Sequence, residues 1–147
     1  MKTRTFVYIL TSVLVVLLIS SCVTTPKDVS PSLGGYFKQI EIGVTYRRER
    51  ISADSDNFYR FTPQISGVHT ISVTGLDSDL FWELHDNAID AYMYESKSII
   101  AEQDNDGTTD EVGHTPVLNA GQEYYLVVYN FDEISGDYDL NITVGRQ

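Results

Sequence analysis

Cysteine occurs once in the 147 residues, at Cys22. No disulfide can then close within the chain, and side-chain packing has to hold whatever folds. Positive charge is scarce as well: ten Lys and Arg stand against 21 Asp and Glu, a net charge of −11 at pH 7. Such a surface repels phosphate backbones, so no nucleic-acid partner is expected. Long apolar runs are missing. The longest, Phe6 to Ile19, has fourteen residues, short of the about 20 that a helix needs to cross a bilayer. The local signatures of catalysis are absent too: there is no G-x-S-x-G and no H-E-x-x-H, and the single cysteine stands far from any histidine. His69, His85 and His114 fall on three separate predicted elements with nothing marking them as a set. A carboxylate pair of the glycosidase kind is always available in so acidic a chain. Most of these acids, however, fall at turns or outward strand positions, where solvation accounts for them. No enzyme is expected.

What is present begins with an address. Lys2 and Arg4 precede the apolar run, and "LISSC" places small residues directly before Cys22. This order fits a secretory signal, and the segment resembles a bacterial lipobox, in which the cysteine is fatty-acylated (palmitate) and becomes the first mature residue. Cleavage there leaves 147 − 21 = 126 residues and removes two basic and no acidic residues, for a mature net charge of 8 − 21 = −13. Anionic headgroups would repel it, so the lipid must hold it to the membrane. Val23 after the cysteine, by resemblance to other lipoproteins, fits outer-membrane sorting. The stretch "VTTPKDVSPSLGG", Val23 to Gly35, is rich in Pro, Ser, Thr and Gly and reads as a flexible spacer ahead of a domain over 36–147.

From Tyr36 onward, period-two alternation dominates. In "GDYDLNITV", Tyr138, Leu140, Ile142 and Val144 share one face and Asp137, Asp139, Asn141 and Thr143 the other, the pattern of a half-buried antiparallel strand. "EYYLVVYNF" is apolar on both faces and predicts a central strand. "DLFWELH" turns Leu80, Trp82 and Leu84 inward and Phe81, Glu83 and His85 outward. "NFYRF", "GVHTISV" and the region around Gly43 supply further strands, and "NAIDAYMYESKSII" has room for a helical turn. Short strands cut by turns such as "PQISG", "DNDG" and "NAGQ" predict an all-β sandwich.

Taken in order, "DSDNFYRFTPQISGVHTISVTGLDSDLFWELHD", "AEQDNDGTTDEV" and "LNAGQEYYLVVYNFDEISGDYDLNITV" resemble the bacterial pre-peptidase C-terminal domain. The matching elements are Tyr59/Phe61, Gly67, His69–Val73, Asp79–Asp86, then Leu118, Ala120, Gly121, Tyr124 and Tyr125, and finally Gly136, Tyr138 and Leu140. The resemblance implies a jelly-roll-like antiparallel β-sandwich of a kind usually appended to exported enzymes, some members binding calcium and some collagen or other polymers. Two departures stand out: no peptidase domain accompanies this copy, and "DNAIDAYMYESKSIIAE" is longer than the usual turn.

Two acidic turns are candidate calcium sites, with Asp54, Asp56 and Asn57 in the first, where the family's calcium-binding members place ligands. The second offers Glu102, Asp104, Asp106 and Asp110 at EF-like spacing, but Gly113 stands where the twelfth ligand should be a bidentate Glu. No cofactor is required; calcium is possible. Asn, Asp and Gly also make ordinary turns, and a solvated turn is the plainer expectation. Phe81, Tyr92 and Tyr94 are candidate ligand contacts, as outward or loop aromatics, though covering the end of the core is the plainer expectation for them. The reading is therefore a non-enzymatic, lipid-anchored β-sandwich of the bacterial cell envelope that serves binding or assembly, its partner an envelope protein or polysaccharide. The alternatives are a calcium-stabilised adhesion or polymer-binding module, and a small envelope hydrolase.

Overall fold

The computed structural model describes residues 33–145. The signal over 1–21, Cys22 and residues 23–32 of the spacer lie outside the described residues. The chain runs through β1 (Lys38–Gln39), β2 (Thr45–Ile51), β3 (Ser55–Phe61), β4 (His69–Thr74), β5 (Leu80–His85), α1 (Ala88–Tyr92), β6 (Ile99–Gln103), β7 (Glu111–His114), β8 (Tyr124–Asn130) and β9 (Gly136–Val144).

Four antiparallel ladders nest inside one another: β2 with β9, β3 with β8, β4 with β7, and β5 with β6. Two further ladders, β4 with β9 and β5 with β8, join them sideways into a four-stranded sheet β2-β9-β4-β7 and a five-stranded sheet β1-β3-β8-β5-β6. One long two-stranded ribbon folded over itself in this manner is a jelly roll, and the all-β sandwich read from the alternation is what forms. The departure is β1, which pairs parallel to β3. Since β2, lying between them in the chain, crosses to the other sheet, the chain enters the first sheet twice in the same sense.

The period-two registers hold. In β4 alternate residues are buried, and in β5 too except that His85, next to the buried Leu84, is buried as well; Leu80, Trp82 and Leu84 face the interior between the sheets with Ile71, Val73, Leu126, Val128, Leu140 and Ile142. Trp82 is fully buried and its Nε1–H donates to the Glu111 carbonyl at 3.2 Å. Room for the indole comes from Gly113, where a Cβ would sit 2.6 Å from Trp82 Cζ2. Strand β8 is buried on both faces. Tyr124, Leu126 and Val128 point into the sandwich, whereas Val127 and Tyr129 belong to a second apolar cluster with Phe37 and Ala91 on the outside of the five-stranded sheet.

That second cluster exists because the long β5–β6 connection folds back. Asn87 caps α1, its Oδ1 accepting from the N–H groups of Ile89 and Asp90 at 2.9 and 3.1 Å, as short polar side chains do at helix starts. Ala91, fully buried, lets the helix lie close to the strands. Leu33–Gly35 form a 3-10 turn, and Leu33 packs on this same cluster.

Candidate functional site

Alternation sends Phe81 out of β5 and Tyr129 out of β8, and the register pairs them directly. Their rings stack at 4.3 Å and 8° between planes. Phe131, just past β8, stacks on Phe81 at 4.7 Å and 11° and is 66% exposed. The column continues through Tyr94, 5.9 Å from Tyr129, to Phe58 at 6.4 Å. Beyond it Tyr36, Phe58, Tyr92, Met93 and Tyr94 line a groove of about 510 Å³. The three candidate contacts Phe81, Tyr92 and Tyr94 thus come together on one belt across the outside of the five-stranded sheet. Phe131, Phe58 and Tyr36 complete it. Of these, Phe131 could have been read from the alternation of β8 carried one residue past the strand; Tyr36 could not, because its place depends on the parallel pairing of β1.

Tyr94 is held in place. Its backbone is left-handed, φ +56°, a conformation costly without glycine. Its hydroxyl donates to Asp56 Oδ2 at 2.5 Å, and that hydrogen bond, ahead of burial, pushes the phenol up to about 12. Asp56, read as a calcium candidate, therefore fixes Tyr94, one of the candidate contact aromatics. Neighbouring side chains on a strand point to opposite faces. Asn57 accordingly turns the other way, donating through Nδ2 to the Arg50 carbonyl at 3.0 Å and to the Tyr138 hydroxyl at 2.8 Å. Asp54 lies outside β3 at φ +45°. The structure does not gather these three.

The second acidic turn is built from below. Glu111 is fully buried, and its carboxylate accepts the Asn105 N–H at 2.9 and 3.0 Å. Burial raises its pKa, the Asn105 N–H opposes that, and the carboxylates of Asp104, Asp79 and Asp110 raise it further. Asp110 Oδ1 accepts the Gly75 N–H at 2.8 Å, and Gly107 turns the loop at φ +72°. Glu102, Asp104, Asp106 and Asp110 are exposed. Among the described residues no three of His, Cys, Asp and Glu lie together as a metal-holding group.

Behind the belt runs a polar chain. Ser98 Oγ bonds His85 Nδ1 at 2.9 Å, His85 Nε2 meets Glu83 Oε2 at 3.3 Å, and the Tyr129 hydroxyl donates to the same oxygen at 2.7 Å. The bond from His85, then that from Tyr129, lowers the Glu83 pKa despite burial. Serine, histidine and glutamate in sequence are the partners of a hydrolase triad. Here His85 is fully buried and Ser98 is 5% exposed, so the hydroxyl is shut from substrate and the chain ties the β5–β6 connection to the sheet. His114 bonds Thr70 and His69 is buried on β4; the three histidines do not meet.

No family model matches the chain, and no curated protein does. Solved structures do. The pre-peptidase C-terminal domain of a collagenase from Bacillus anthracis superposes with a TM-score of 0.51 at 21% identity, over 71% of this chain and 92% of that one. A periplasmic inhibitor of g-type lysozyme from Aeromonas hydrophila gives 0.45 at 12%, over 71% and 93%. The first likeness shows that the chain has the fold of that domain.

Proposed function

We propose that the protein is a non-enzymatic binding module of the bacterial cell envelope, lipid-anchored through Cys22, whose contact face is the aromatic belt on the outside of the five-stranded sheet. One observation carries this reading: three near-parallel rings, Tyr129, Phe81 and Phe131, end in a ring that is 66% exposed. A column of aromatics costs solubility when it ends in water. Covering it with a partner regains that cost, and rigid aromatic surfaces are where binding energy concentrates. The fold shared with the pre-peptidase C-terminal domain of a collagenase supports a non-catalytic role, as does the burial of Ser98. The partner is a protein or polysaccharide of the envelope.

The test has two arms in the full-length chain. Phe131→Ala combined with Tyr94→Ala should abolish co-purification of the partner from detergent-solubilised envelope while leaving the melting temperature within a few degrees. Cys22→Ser should abolish the lipid-modified mature species in mass spectra. Undiminished partner recovery with the aromatic pair removed would overturn the contact face; an unchanged lipidated species would overturn the anchor.

A further inference from the structure

We propose that the acid-rimmed end of the aromatic belt docks an arginine-bearing segment of a partner protein. This rests on the belt being the contact face and adds the chemistry of what it contacts. Phe81 lines, with Glu102, Gln103 and Asp104, a cavity of about 370 Å³. Glu102 lies directly across from Glu83, and like charges in that position repel. Glu83 is relieved by His85 and Tyr129. Glu102 and Asp104 are exposed, and among the described residues neither takes part in an ion pair.

Positive charge is missing from this whole side of the sequence. Between Phe61 and Gly145 there are sixteen Asp and Glu and one Lys, Lys97, and Lys97 already lies 3.4 Å from Asp90. A cationic complement to Glu102 and Asp104 would therefore be supplied by a partner. Residues two apart along a strand direction stand about 7 Å apart on one face. This spacing matches alternate side chains of an extended peptide, and β6 is the edge strand of its sheet, the position beside which an added segment can run. A flat guanidinium can lie on an aromatic ring and hold a carboxylate by two parallel N–H bonds at once. A lysine ammonium, a strongly hydrated point charge, does this poorly.

The probe is a short fluorescein-labelled peptide alternating Arg and Ser, with Lys, citrulline and Glu versions as controls, read by fluorescence polarisation on the full-length chain in detergent. The arginine peptide should bind, the lysine peptide several-fold more weakly, and the citrulline and glutamate peptides not measurably. Glu102→Gln with Asp104→Asn should weaken the arginine peptide by about tenfold or more. A charge-matched control, Glu41→Gln with Glu95→Gln, should change it less than about twofold. Equal loss in the two double variants, or none in the first, overturns the inference. Partner recovery that still depends on Phe131 and Tyr94 would in that case leave the contact face standing, so the two failures are distinct.

Discussion

At the scale of single residues, Trp82 and Gly113 form a matched pair. The indole fills the sandwich and the missing Cβ of Gly113 admits it. Trp82→Ala should cost about 3–5 kcal/mol and Gly113→Ala about 1–3 kcal/mol by overpacking, both read by urea denaturation. A Gly113→Ala domain as stable as the parent would mean the indole does not sit against β7. Tyrosines give a second test. Burial is the largest cause raising Tyr59, Tyr125, Tyr129 and Tyr138 above the ordinary value of 10.0, Tyr125 and Tyr138 to about 12. A phenol that resists ionising in the folded state contributes stability that is whole below pH 10 and lost as pH rises through the folded pKa. The melting temperature should therefore hold to about pH 10 and fall steeply toward 12, with phenolate absorbance appearing late. Ionisation of every tyrosine near pH 10 in the still-folded domain would contradict this burial.

At the scale of elements, alternation made most strands legible. The faces of β4, β5, β8 and β9 follow directly from side chains that point to opposite sides by turns. What alternation cannot reveal is which polar residue is recruited by a distant one. Asp139 reads as an outward acid, yet its Oδ1 accepts the Arg48 N–H at 2.9 Å at an irregularity in β2, where Arg48 has φ +53°. Tyr59 and Tyr138 read as core residues, yet their hydroxyls meet at 2.5 Å and extend through Glu49 to Lys38. Glu111, one acid among several in "DNDGTTDE", is the buried one that organises the turn. The contact candidates were legible as outward aromatics, but the belt was not, because Tyr36, Phe58 and Phe131 reach it from three separate parts of the chain. For the acidic turns, protein groups already satisfy much of the oxygen and nitrogen that an ion would compete with: Tyr94 occupies Asp56, Gly75 occupies Asp110 and Asn105 occupies Glu111. The domain should therefore melt alike in EDTA and in millimolar calcium. Binding at a hundredfold excess over Kd would instead add about 2.7 kcal/mol; a clear upward shift in melting would show that one of these turns holds the ion.

At the scale of the whole molecule, one chain presents two unlike surfaces. The inner faces of the two sheets make an ordinary apolar core, and the outer face of the five-stranded sheet carries a second, smaller one that ends in exposed rings. The β5–β6 connection builds that second cluster, and the Ser98–His85–Glu83 chain locks it down. The chain as a whole presents an acidic surface, with sixteen acids and one lysine falling between Phe61 and Gly145. Such a surface favours encounter with basic partners and penalises acidic ones. The central claim is that binding happens on this outer face. It is tested most directly by placing a photo-crosslinking amino acid at Phe131 of the full-length chain in intact cells, and at Val112, which is 46% exposed on the four-stranded sheet, as the comparison. A discrete covalent adduct from position 131 and none from position 112 is the predicted result; no adduct from 131, or equal adducts from both, would contradict the account.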